Sequence, residues 1–193
     1  MKLCKFVLSI LVICTSQLYG ETNSDYNIRK NRDYTSITVT AENKNITLYI
    51  DIYKSGDYAF GLQENMNKKV EVKYVIDSNN RSFSPVAQYF NKDGTSKVID
   101  FGDLLESRCI WGNCKNGSGL VSNMAIFSLG NFVNQSLDGL GIQENLDSTL
   151  TIGNWKGGAL NKFCMLIDVR NKFIIIIKSN AQGLIKISEK VNL

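Results

Sequence analysis

Along "ITLYIDIY", Ile46, Leu48, Ile50 and Ile52 alternate with Thr47, Tyr49, Asp51 and Tyr53. A period of two puts successive side chains on opposite faces of a strand, so this segment predicts a half-buried β-strand. "KVEVKYVI" alternates in the same way, with Val70, Val72, Tyr74 and Ile76 on one side, and "TSITVT" does so over a shorter stretch. "KSGD" has hairpin chemistry and leads into "YAFGL". "DSNNRS" interrupts the pattern, "FSPVAQYF" resumes it, and "NKDGTS" turns the chain back into "KVIDF". The only proline, Pro85, falls near the start of its strand, where a missing donor is tolerated.

The last third of the chain reads as four strands, "STLTIGNW", "FCMLIDV", "KFIIIIK" and "GLIKISEKV", joined by Gly- and Asn-rich turns. "FIIII" does not alternate, which predicts a strand covered on both faces within a sheet. The middle is ambiguous. "GDLLES" fits one helical turn capped by Asp103, and Gly119 to Leu137 fits either a short amphipathic helix or two strands broken at Gly130. The expectation is an all-β fold, mainly antiparallel, of about nine or ten strands with one or two short helical segments in the middle. A β-sandwich or small barrel would place Ile46, Leu48, Ile50, Val70, Val72, Ile76, Leu166 and Ile175 inward. "GLQEN" at Gly61 to Asn65 returns as "GIQEN" at Gly141 to Asn145. Coincidence and shared turn chemistry account for five residues, whereas a true repeat would imply two related β-halves.

Residues 1–20 change the compartment. Lys2 and Lys5 precede the uncharged apolar run Phe6 to Cys14, and a short polar exit follows to Gly20. This is the three-part layout of a secretory signal peptide, cut after Gly20 or after Ser16, and the expected location is secreted or periplasmic. A lipid anchor on Cys14 is the lesser alternative, disfavoured by the bulk of Ile13. Residues 21–33 are polar without period and read as a flexible lead. Residues 34–193 read as a single β-rich domain. Lys and Arg number 22 against 18 acids, and loss of Lys2 and Lys5 lowers the net charge from +4 to +2. These charges are scattered, which excludes the basic stripe on which nucleic-acid binding relies. No second apolar run approaches the length of a transmembrane helix.

Export also changes the cysteine arithmetic. The mature chain keeps Cys109, Cys114 and Cys164. In an oxidising compartment one bridge and one leftover is the simplest outcome, and Gly112 with Asn113 permits a tight ring between Cys109 and Cys114. The competing bridge joins Cys164 to one of the pair, and a leftover Cys164 could link two copies. Four residues separate Cys109 from Cys114, where a thioredoxin-type motif has two. With no histidine in the chain, three cysteines do not complete a structural zinc site. The sequons at Asn45, Asn80, Asn116 and Asn134 are as many as composition alone would place, Asn80 and Asn116 being the most turn-like.

The absence of histidine also removes Ser-His-Asp and Cys-His catalysis. "DFG" at Asp100 to Gly102 lacks the histidine-bearing loop a kinase needs. Neither a catalytic set, nor a cofactor, nor a metal site is expected. The leading expectation is a non-catalytic binding module for a glycan, a protein or a small apolar ligand. Its site would use Trp111, Asn113 and Lys115 on the bridged loop and Tyr49 and Tyr53 on a strand face. The competing reading folds Trp111 back onto the core, and Trp155 reads better as core than as ligand contact. The alternatives are an effector, adhesin or toxin-like protein acting on host surfaces or membranes, and a carboxylate-dependent hydrolase.

Overall fold

Alternation becomes a pair of meanders. The computed structural model describes residues 25–41, 45–76, 83–99, 104–124, 126–145, 149–179 and 185–192. Residues 1–20, Cys14, Asn80 and Asp103 lie outside the described residues. A first sheet contains β1 (Asp25–Lys30), β2 (Tyr34–Thr40), β3 (Ile46–Tyr53), β4 (Tyr58–Glu64), β5 (Asn67–Ile76), β6 (Phe83–Phe90) and β7 (Ser96–Val98). A second contains β8 (Arg108–Gly112), β9 (Asn116–Asn123), β10 (Ile126–Val133), β11 (Ser136–Glu144), β12 (Thr149–Lys156), β13 (Ala159–Asp168), β14 (Phe173–Ser179) and β15 (Ile185–Asn192). In both sheets every strand pairs antiparallel with the next in sequence. The chain passes from one sheet to the other once, between β7 and β8.

The two sheets form a sandwich whose core draws on both. Ile37, Leu48, Ile50, Phe60, Val70 and Val72 of the first sheet join Leu120, Phe127, Ile142, Ile152, Met165 and Ile174 of the second in one buried cluster. Across this core β4 meets β10 and β3 meets β11. At one side the sheets are also tied by a stack of Tyr26 on Phe163, centroids 5.5 Å apart, and by Lys30 Nζ donating to the Asn192 carbonyl at 2.7 Å.

Several expectations are corrected. Among the described residues the strands number fifteen, because hairpin turns of two residues at Asn65–Met66 and Asn134–Gln135 hide in continuous sequence. The described residues of Gly119 to Leu137 are not helical: they belong to β9, β10, β11 and the turns between them, and Gly130 lies inside β10 at a bulge rather than at a break. Of "GDLLES", the described residues Leu104 and Leu105 are helical. Within the segment expected to be a flexible lead, Asp25–Lys30 is an edge strand paired with β2; exposed on its outer side, it has no need of an apolar period. Leu48, Ile50, Val70 and Val72 are buried as expected, and Ile46 packs against the core. Leu166 and Ile175 face the other way. They pair with each other on the outer face, while Met165, Ile167, Ile174 and Ile176 supply the core. The side chain of Ile76 lies outside the described residues.

Candidate functional site

Cys109 and Cys114 are bridged, with Cα atoms 5.8 Å apart. Ring closure needs the chain to reverse within four residues, and Gly112 makes this possible. Its φ is +78°, and a Cβ there would run into the Ser118 carbonyl. Asn113 N–H donates to that same carbonyl at 2.9 Å. The Asn113 Oδ1 accepts from the backbone N–H of Lys115 at 3.2 Å and of Asn116 at 3.1 Å, which fixes the loop from inside. The neighbouring hairpin holds it from outside: Gln135 N–H donates to the Lys115 carbonyl at 3.1 Å, and Asn134 N–H to Asn116 Oδ1 at 3.0 Å.

This loop borders an open hollow of about 510 Å³. Ser107, Arg108, Asn113, Lys115 and Gln135 line it, and the disulfide forms part of its wall. Arg108 Nη1 is 3.2 Å from Glu106 Oε2, on an exposed pair. Among the described residues lining the hollow there are two cations, two amides and a hydroxyl, and no carboxylate. Such a set donates hydrogen bonds and attracts negative charge.

Trp111 is not presented by the loop. It lies in β8 opposite Leu120, half-buried against the main core. The strand, rather than the ring, decides where its side chain goes. Of the residues picked from sequence, Asn113 and Lys115 therefore share the hollow with the bridge, and Trp111 does not line it. Trp155 is 5% exposed in a second apolar cluster with Cys114, Phe132 and Leu137, its Nε1 donating to the Gly141 carbonyl at 3.0 Å. Cys164 takes no part in the bridge and is 4% exposed, beneath the surface at which a link between copies would form.

Tyr49 and Tyr53 sit on the other sheet, on the outer face of β3. Tyr49 is 3% exposed and cannot stack on a ligand. Its ring lies across Gly61, and its hydroxyl donates to Glu71 Oε2 at 2.6 Å. Burial pushes the Tyr49 hydroxyl far above its ordinary range, reinforced by that carboxylate. Lys68 Nζ reaches the same Glu71 oxygen at 2.7 Å. Burial alone would raise the Glu71 carboxyl, but hydrogen bonds from Lys68, Tyr49 and Gln88 with the Lys68 charge bring it below its ordinary value. Asp51, on the same face, is held above its ordinary value by burial, against a hydrogen bond from Ser36. Tyr53 is half-buried, tilted against Tyr34 at 5.7 Å with Lys73 over its ring at 6.0 Å. The face is occupied by its own side chains.

Sequence reading missed one group. Glu144, at the end of β11, points into the core and is 6% exposed. Two tyrosines of the first sheet donate to it, Tyr58 to Oε1 at 3.1 Å and Tyr74 to Oε2 at 2.6 Å, and Phe127 N–H donates to Oε2 at 3.3 Å. Burial holds its carboxyl above the ordinary value against these bonds. The signal was available, because Leu140, Ile142 and Glu144 share one parity of the strand. No known protein family matches the chain, and no characterised protein matches it in sequence.

Proposed function

We propose that the chain is an exported, non-catalytic binding protein, strands β1 to β15 forming one β domain, that holds a small carboxylate-bearing ligand in the hollow beside the Cys109–Cys114 ring. The observation that carries this reading is the pairing of Arg108 and Lys115 around a concavity of about 510 Å³ with no acid among its described lining residues. A volume of this order suits a ligand of sugar-acid or short-peptide size. The membrane-active alternative drew on the ambiguity of Gly119 to Leu137, and that segment is three paired strands.

The test is calorimetric titration of the mature protein with uronic-acid oligosaccharides and small carboxylate peptides beside their neutral counterparts. The acidic members are expected to bind and to weaken as salt rises. Lys115→Ala should weaken them about tenfold, the loss of one charge-assisted hydrogen bond, with an unchanged melting temperature. Equal binding of neutral and acidic members would refute the reading. Export is tested separately, by an amino terminus at Glu21 or Gln17 on the protein recovered outside the cytosol.

A further inference from the structure

The two sulfurs of the bridge are not equivalent. Cys109 lies on β8, an edge strand with a single neighbour, and is exposed. Cys114 is 7% exposed and packs with Phe132, Leu137 and Trp155. Both line the hollow, and each is adjacent in sequence to one of its cations, Arg108 beside Cys109 and Lys115 beside Cys114. Disulfide exchange depends on which sulfur an incoming thiolate can reach. Here Cys109 is exposed and Cys114 is buried, so the Cys109 side of the bond is the more open to attack.

We infer that Cys109 is a thiol-exchange site for a small carboxylate-bearing thiol of the glutathione class, captured covalently in the hollow. The thiolate of the incoming molecule attacks Cys109 Sγ, forming a Cys109–thiol disulfide. The Cys109–Cys114 bond breaks with its electron pair going to Cys114 Sγ, which takes a proton from water. One disulfide is consumed and one formed, so no external oxidant or reductant is needed. The carboxylates of the bound thiol face Arg108 and Lys115, which raises its local concentration over that of neutral or cationic thiols. The Cys114 thiol left behind is packed among Phe132, Leu137 and Trp155. The choice of carboxylate-bearing thiol rests on the reading of the hollow given above, whereas the preference for Cys109 over Cys114 does not.

The intact protein is incubated with glutathione, or with cysteamine at matched thiolate concentration, then acid-quenched and peptide-mapped by mass spectrometry. Glutathione is expected on Cys109 and not on Cys114, forming about tenfold faster than the cysteamine adduct at low salt, since two nearby cations favour one thiol and repel the other. This advantage should collapse in Lys115→Ala, whose bridge is intact. Glutathione on Cys114, equal rates for the two thiols, or a bridge that resists both while dithiothreitol opens it would each overturn the inference. S-methylglutathione, which cannot exchange, separates the two readings. If it binds reversibly while glutathione forms no adduct, the hollow is a ligand site and the exchange is wrong. If glutathione labels Cys109 no faster than cysteamine and S-methylglutathione does not bind, the hollow reading has failed instead.

Discussion

Glu144 joins the sheets through a buried carboxyl group that accepts from two tyrosines of the first sheet. Removing one partner of such a cluster costs more than the cluster contributes, because the remaining donors stay buried without an acceptor. Glu144→Ala leaves the Tyr58 and Tyr74 hydroxyls in that position, and a loss of about 3 kcal/mol in unfolding free energy by urea titration is expected. Its pH dependence follows from the direction of its shift. The folded carboxyl titrates above its ordinary value of 4.5. The native state therefore keeps a proton that the unfolded chain releases. The stability this contributes is complete below 4.5 and is lost as pH rises through the folded value. Glu144→Gln should flatten the fall in melting temperature that the native protein shows as pH rises above 4.5. Glu71 has the opposite sign, its contribution being present above 4.5 and lost as pH falls through its lowered folded value. A Glu144→Gln profile with the same slope as the native protein's would disprove the assignment.

Among the strands, the close approach of Tyr49 to Gly61 is the most sensitive contact described. A Cβ at position 61 would collide with the Tyr49 ring, and the ring is anchored by Glu71. Gly61→Ala should cost about 2 kcal/mol by overpacking, and Tyr49→Ala in the same chain should recover part of it; strict additivity of the two losses would show that they do not touch. Trp111→Ala should also destabilise, by about 2 kcal/mol, since a half-buried indole leaves the core face of β8. An unchanged denaturation midpoint would return Trp111 to the surface. Strands with a clean period, such as Thr47 to Tyr53, were legible because one face is apolar and the other polar. Gly119 to Leu137 was not, because glycines stand where side chains would reveal parity, and a two-residue turn at Asn134–Gln135 leaves no polar gap. β1 lacked a pattern for the reason that its outer edge faces solvent. The bridged ring was legible from spacing and compartment, but the hollow was not: Gln135 reaches it from another hairpin. Glu144 was missed because the eye counts an acid at a strand end as solvated.

For the whole molecule, each sheet pairs strand with successive strand, so its backbone ladders are made within one half of the chain, and the halves meet through side-chain packing and a few side-chain hydrogen bonds. The third and fourth strands of the first sheet, β3 and β4, meet the fourth and third of the second, β11 and β10. "GLQEN" closes the fourth strand of one and "GIQEN" the fourth strand of the other, with Tyr49 across Gly61 and Trp155 across Gly141. This reciprocal contact resembles the one two subunits make about a dyad, and joining the halves in one peptide supplies effective concentration. Two separately encoded halves, cut between β7 and β8 and co-expressed, are expected to elute together from size-exclusion chromatography at the native volume and to dissociate on dilution. The uncut chain would show no such concentration dependence.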